Sequence, residues 1–328
     1  MKEKWEYQPI GSVCSSFSGY TPPASLLKEK GAYPYFKVAE MNLPQNKKIL
    51  TTTNAHIDNP TRVFPKNSVV FPKNGAAIAT NKKRILAQDS VVDLNTGGLI
   101  ANDSLLNYVF FYYIMQHIDF RLLIRRGAVP TLDISELKKV NIPIPSLDEQ
   151  QQIVEELDLL SSIIEKKKEQ LKELDNLAQS IFYDMFGDPV KNEKGWVIGK
   201  IEDGFSYIKN GVNIKQTKDS LGFPITRIET LSGGLFNRDR MGYANIFELG
   251  KYAQNVLDDG DILLSHINSK AFVGRAVMYS KMKDETIIHG MNLLRLVVKR
   301  ERIEPRFAEF YFKTFFFKKE VEKLEKTL

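Results

Sequence analysis

Cysteine is almost missing from these 328 residues, and Cys14 stands alone. One thiol excludes an internal disulfide and any metal site built on several cysteines, and it fits a reducing compartment. Its own side chain reads as a small buried apolar group. Histidine is nearly as scarce. His56, His117, His266 and His289 lie far apart and show no metal-ligand spacing. Neither a Gly-x-Gly-x-x-Gly nor a Gly-x-x-x-x-Gly-Lys stretch occurs, which excludes nucleotide and methyl-donor cradles of those kinds. Asn59-Pro60-Thr61-Arg62 lacks the second proline and the aromatic residue of an amino-methyltransferase pocket. No long hydrophobic run is present either. The most apolar stretch, Leu105 to Ile124, is interrupted by Asn107, Gln116, His117, Asp119 and Arg121, and Met1-Lys2-Glu3-Lys4-Trp5-Glu6 is too polar for an export leader. The expectation is a cytoplasmic chain without a membrane span.

Acidic clusters suited to holding a divalent ion are also missing. Glu165-Lys166-Lys167 falls on a helical pattern as solvated surface, and Asp258-Asp259-Gly260-Asp261 is a turn by composition. No reaction is expected of the chain by itself, with no catalytic residue, no metal and no cofactor of its own.

What is present begins with a run from Glu149 to Phe186 that holds neither glycine nor proline. Ile153, Leu157, Leu160, Ile164, Leu171, Leu174, Ala178, Ile181 and Met185 fall on alternating steps of four and three, with Lys167 as the polar entry in the series. That spacing is a heptad seam for pairing with another helix. Ser146 is the expected cap with Glu149 as its box partner, and Gly187-Asp188-Pro189 is the expected stop. A helix of this span is about 57 Å long at 1.5 Å per residue, and it predicts two bodies held apart.

Charge divides along the same lines. The net charge of +6 resolves into +7 over residues 1–147, −7 over 148–188 and +6 over 189–328. A polyanion is drawn to the two basic segments and repelled by the acidic rod between them.

The flanking segments resemble each other. Trp5, Ile10-Gly11-Ser12-Val13, Gly19-Tyr20-Thr21-Pro22 and Tyr33-Pro34-Tyr35-Phe36-Lys37-Val38 recur as Trp196, Ile198-Gly199-Lys200-Ile201, Gly211-Val212-Asn213 and Phe223-Pro224-Ile225-Thr226-Arg227-Ile228. Asn67-Ser68-Val69-Val70-Phe71 matches Gly260-Asp261-Ile262-Leu263-Leu264, and Phe111-Tyr112-Tyr113 matches Phe310-Tyr311-Phe312. Anchors that keep their order this way predict a duplicated α+β unit of short strands closed by an aromatic helix. The sequence as it stands holds one Ile142-Pro143-Ile144-Pro145 turn and one long helix where symmetry would give two of each.

Leu132 to Ile153, with Ile142-Pro143-Ile144-Pro145, Leu147 and Glu149-Gln150, followed by the long helix ending in Phe182, Phe186 and Gly187-Asp188-Pro189, resembles the central region of type I restriction-modification specificity subunits. The Gly19-x-Thr21-Pro22 turn and the duplicated layout resemble that family's target recognition domains. The resemblance implies an α+β architecture of two similar target recognition domains joined by a long central coiled-coil helix: residues 1–147, the spacer 148–187, and residues 188–328 without the distal spacer helix. It implies double-stranded DNA as the ligand, read at a bipartite asymmetric site. It further implies methyltransferase subunits that use S-adenosylmethionine, and restriction subunits that use ATP and Mg. In the family the central helix pairs with a distal one, so a second polypeptide or a homodimer is expected on the seam. A coiled-coil scaffold without nucleic acid and a free-standing nuclease are the alternatives.

Base edges are read by short polar side chains and arginine forks, while lysines fix register on phosphates. Polar basic loops therefore supply the candidates. In the first domain they are Lys73, Asn74, Lys82, Lys83 and Arg84. In the second they are Lys209, Asn210, Lys215, Arg238, Arg240, Asn268, Lys270 and Arg275.

Overall fold

The computed structural model describes residues 5–125, 127, 129–217, 219–267 and 273–325. By its internal contacts the chain separates into two units, 1–167 and 168–328, and the boundary falls inside the long helix rather than at its ends.

Six α-helices are described: α1 (Ile10–Val13), α2 (Tyr108–His117), α3 (Ile134–Lys139), α4 (Leu147–Phe186), α5 (Pro305–Lys313) and α6 (Phe315–Glu325). None is long and apolar enough to cross a membrane among the described residues. The ends of α4 follow the expected chemistry. Ser146 and Glu149 cap each other, with Glu149 Oε2 accepting from Ser146 N at 3.1 Å and Ser146 Oγ accepting from Glu149 N at 3.3 Å. At the far end Gly187 adopts φ 78° and its N–H donates to Tyr183 O at 2.8 Å.

In the first unit a five-stranded sheet runs in the order Cys14–Ser18, Thr96–Ala101, Val69–Pro72, Arg84–Leu86, Ile49–Leu50. In the second, a four-stranded sheet runs Phe205–Asn210, Leu293–Val298, Ile262–Ser265, Ala276–Met278. The first four strands of one sheet repeat the order of the other. Smaller ladders repeat too. Tyr35 pairs in parallel with Val91 beside an antiparallel strand at His56–Ile57, and Ile225 pairs in parallel with Ile288 beside an antiparallel strand at Gly242–Tyr243. Asn67 and Gly260, which precede the equivalent strands Val69–Pro72 and Ile262–Ser265, both take positive φ, at 69° and 88°. Asparagine and glycine are the residues that tolerate that turn.

A backbone crossing shared by both units fixes one more position. The N–H of Tyr20 donates to Val92 O at 3.0 Å, and that of Val212 to His289 O at 2.9 Å. The residue before each donor is a glycine, because a Cβ at Gly19 would lie 2.0 Å from Asp93 O and one at Gly211 would lie 2.1 Å from His289 O.

Two of the expected matches are out of register. Ile10 opens α1 directly before the strand at Cys14, and the residue in that place in the second unit is Ile201, which opens the 3₁₀ turn Ile201–Gly204 before Phe205. The match of Ile10 with Ile198 is therefore three residues early. Likewise Phe111 and Phe310 stand at different turns of α2 and α5. Counted from the helix starts, Ala308 takes the place of Phe111 and Phe312 that of Met115, and all four are buried. Aromatic identity attracted the comparison, whereas packing against the sheet sets the register.

The cores follow from these ladders. Val69, Phe71, Ile85 and Leu99 of the first sheet pack with Phe111 and Met115 of α2, and with Leu137, Ile142 and Val154, so the start of α4 belongs to this core. In the second unit Phe205, Ile262, Ala276 and Leu296 pack with Ala308, Phe312 and Phe317. Phe182 and Phe186 of α4 meet Phe307 of α5 at ring separations of 5.5 and 4.8 Å, and Trp196 Nε1 donates to Phe186 O at 2.9 Å.

Candidate DNA-reading surfaces

The strand Val69–Pro72 is wholly buried and delivers the chain to Lys73, Asn74 and Gly75 at the rim of the first unit. Their backbone is held from two sides. Lys73 N donates to Asn95 O at 2.8 Å, Lys73 O accepts from Leu132 N at 2.8 Å, and Gly75 N donates to Pro130 O at 2.8 Å. The Lys73 stem lies over Gly97, where the missing side chain leaves room. Burial lowers the pKa of its half-buried ammonium, with the Asp93 carboxylate opposing the shift. Asn74 Nδ2 reaches Asn95 Oδ1 at 3.4 Å. These side chains form a polar ledge on a fixed backbone, a suitable base for reading an edge of hydrogen-bond donors and acceptors.

The neighbouring basic run separates on inspection of its partners. Asn81 adopts left-handed φ 53°, and its Oδ1 accepts from Phe120 N at 2.9 Å and from Lys83 Nζ at 2.7 Å. Lys83 Nζ also donates to Ile118 O at 2.7 Å and sits 4.1 Å from the centre of the Phe120 ring. The residue is fully buried, and burial lowers its pKa to about 8. Lys83 was expected on a DNA-facing loop. It instead holds the fold together, because burial leaves it no path to a phosphate. Arg84 is similarly engaged, with Nη1 on Lys83 O at 2.7 Å and Nη2 on Met41 O at 2.8 Å. Lys82 points the other way and bonds Asn42 Oδ1 near the surface.

In the second unit Lys209 and Asn210 are exposed at the end of Phe205–Asn210, with Lys209 Nζ 5.4 Å from the Tyr207 ring centre. Lys215 and Arg240 are exposed as well. Arg238 departs from expectation. Its Nε and Nη2 bond both oxygens of Glu285 at 2.8 and 2.6 Å, and Nη2 also reaches Ser280 O at 2.8 Å. The guanidinium holds the Glu285 carboxyl down at about 2, helped by Met282 N and the Tyr279 hydroxyl and opposed by burial. A fork spent on an internal carboxylate is not offered to guanine. Arg275 Nη1 donates to Leu231 O at 3.1 Å. Asn268 and Lys270 lie outside the described residues; they follow the strand Ile262–Ser265, which is the counterpart of the strand before Lys73.

The seam of α4 divides by exposure. Ile153 is half-buried against the first core and Leu157 and Ala178 are half-buried, while Leu160, Ile164, Leu171, Leu174, Ile181 and Met185 are exposed. Asp158 bonds Lys48 Nζ and the Tyr113 hydroxyl, and Glu165 bonds Lys47 Nζ at 3.0 Å. These links fasten the first part of α4 to the sheet of its unit.

Sequence reading missed the residue that joins this helix to its unit most closely. Gln150 is completely buried. Its Nε2 donates to Leu105 O and Pro145 O, both at 2.9 Å, and its Oε1 accepts from Asn107 N at 2.8 Å. Asn107 in turn caps α2 by accepting from Val109 N and Phe110 N. A glutamine directly after a capping glutamate and ahead of an apolar face was the available signal.

A family model described as the type I restriction modification DNA specificity domain matches residues 2–175. The type I restriction enzyme MjaVIII specificity subunit of Methanocaldococcus jannaschii is 25% identical over 98% of this chain and 77% of its own length. The EcoKI specificity subunit of Escherichia coli K12 is 22% identical over 95% of this chain and 72% of its own. A crystal structure of a type I restriction-modification S subunit from M. genitalium superposes with a TM-score of 0.50 at 15% identity, covering 99% of this chain and 80% of that one, which shows the fold. With more than half its residues under the family model and its two units built on one frame, the chain belongs to the family of type I restriction-modification specificity proteins.

Proposed function

We propose that this chain is the DNA-reading subunit of a type I restriction-modification complex, each unit reading one half of a two-part asymmetric site. The observation that carries the reading is the duplicated frame itself. In a chain of this family, equivalent sheet strands recur in both units, with Lys73-Asn74 at the rim after Val69–Pro72 and Ile262–Ser265 in the same place of the second sheet. Lys82, Lys209, Lys215 and Arg240 fix register on phosphates. Asn74 and Asn210 face base edges, and Asn268 and Lys270, outside the described residues, are DNA-contact candidates from the sequence alone. Lys73 braces the first of these positions, its stem lying over Gly97.

Chemistry is assigned to partner subunits. Methyltransferase subunits binding S-adenosylmethionine dock along the acidic segment 148–188, and restriction subunits using ATP and Mg join that assembly. This chain contributes sequence selection and no reacting group. The exposed seam from Leu160 to Met185 takes a second helix, from another polypeptide or a second copy.

The test is a methylation map, by single-molecule sequencing, of DNA from cells that express the chain with its cognate methyltransferase subunit. A two-part motif with a fixed gap, lost when the chain is omitted, is the expected result. A palindromic motif would show one unit used twice in a dimer. No new methylation with both proteins folded and abundant would overturn the reading.

A further inference from the structure

The equivalent strands of the two sheets end at the same rim, and the residue that follows them differs in kind. Pro72 pairs with Thr96 in the first sheet and Ser265 with Leu293 in the second. The next residue is Lys73 in one unit and His266 in the other. The backbone crossing sets a second correspondence. Val92 O and His289 O accept from Tyr20 N and Val212 N, so Asp93 of the first unit is answered by Gly290 of the second. The Asp93 carboxylate acts on the Lys73 ammonium. In its place the second unit has a glycine N–H, which donates to Thr226 Oγ1 at 2.9 Å.

Folding also brings together two of the four histidines that the sequence scatters. His289 is completely buried, and its Nε2 meets Leu293 O at 2.9 Å. A carbonyl oxygen only accepts, so Nε2 carries the proton and Nδ1 is left as a bare acceptor. His266 is half-buried at the rim, near enough to His289 to oppose its protonation. Among the described residues neither Nδ1 has a hydrogen-bond partner. Burial keeps both rings neutral at neutral pH, holding His266 below its ordinary 6.5 and His289 down at about 4. The charged groups around them are mostly cations: Arg295 and Lys209 paired across the sheet, Arg275 beside Ser265, and Arg227 next to Thr226. Asp261 and Asp258 both turn to Arg295, at 2.7 and 3.3 Å.

We infer that His266 is a phosphate contact of the second unit and makes that contact as an imidazolium, so that this unit takes up a proton from solvent when it binds DNA. The inference rests on the DNA-reading role proposed above and adds a condition that the first unit lacks. A lysine reaches the backbone already charged. His266 reaches it neutral, among cations that disfavour a further charge, and an adjacent phosphate reverses that balance. The DNA-bound ring therefore titrates at higher pH than the free one. Affinity is greatest where the free ring is already protonated and falls as pH rises through the value of the bound ring.

The test uses the whole chain and a labelled random-sequence DNA duplex, because phosphate contacts do not depend on sequence. Affinity measured by fluorescence anisotropy at fixed ionic strength should be about tenfold tighter at about pH 5.5 than at about pH 8. The slope of log affinity against log salt should be steeper by about one at the lower pH. Calorimetry in two buffers of different ionisation heat should show net proton uptake on binding near about pH 6.5. His266→Gln should remove the pH dependence and the proton uptake. His266→Lys should hold the steeper slope at both pH values, an effect that a residue supporting only the fold would not produce. Circular dichroism of both variants should match the wild type. Parallel pH profiles for wild type and His266→Gln, or DNA binding by wild type without proton uptake, overturn the inference and leave the DNA-reading proposal standing. No binding of the duplex at any pH overturns both.

Discussion

Single side chains carry more of the architecture than their number suggests, and Gln150 is the clearest case. Replacing it with alanine leaves Leu105 O, Pro145 O and Asn107 N without their partner inside the core. The expected cost is about 2–3 kcal/mol of stability, read as a lower midpoint in urea, with little change in the exposed reading loops. Lys83 makes the complementary point about charge. Its folded pKa, about 8, lies below its ordinary 10.5, so between those values the unfolded chain binds the proton more tightly. The stability penalty is full below pH 8 and is relieved as pH rises toward 10.5. Wild type should therefore gain stability relative to Lys83→Met across that window, and parallel pH profiles would refute the assignment. Neither role was legible in the sequence. Asn81-Lys82-Lys83-Arg84 reads as one basic loop, and only the three-dimensional partners of Lys83 and Arg84 show that both are engaged within the unit while Lys82 stays near the surface.

Elements were legible where a local pattern dictates them. The heptad spacing, the Ser146–Glu149 box and Gly187 were enough to bound α4. The repeat was visible because its turns need particular residues: asparagine or glycine at positions 67 and 260, and glycine at 19 and 211. Register within the repeat was not, since aromatic triplets in α2 and α5 look alike at any turn and only the sheet decides which ring is buried. The crossing glycines give a sharp expectation. Gly19→Ala and Gly211→Ala each drive a Cβ into a carbonyl oxygen, so each should cost about 3 kcal/mol or more, measured by thermal unfolding of the affected unit. The α4 seam should behave in the opposite way. Leu171 and Leu174 are exposed, at 63% and 60%, so Leu171→Asn with Leu174→Asn should change stability by only about 0.5 kcal/mol. The same pair should abolish any self-association seen by sedimentation, and persistence of the dimer would remove the seam from its proposed role.

For the molecule as a whole, charge is the property to test. Two basic segments around an acidic one make DNA affinity fall steeply with salt, and Lys209→Gln or Lys215→Gln should reduce the slope of log affinity against log salt by about one each. Lys83→Met should leave that slope unchanged, because a buried ammonium releases no counterion from DNA. The placement of the unit boundary inside α4 has a consequence in time. Val154 belongs to the first core and Gln150 is buried and bonded beside it, yet both follow every strand of its sheet in the chain. During synthesis the first unit therefore remains open until the ribosome has released the beginning of the long helix, and its closure is gated by translation through that segment.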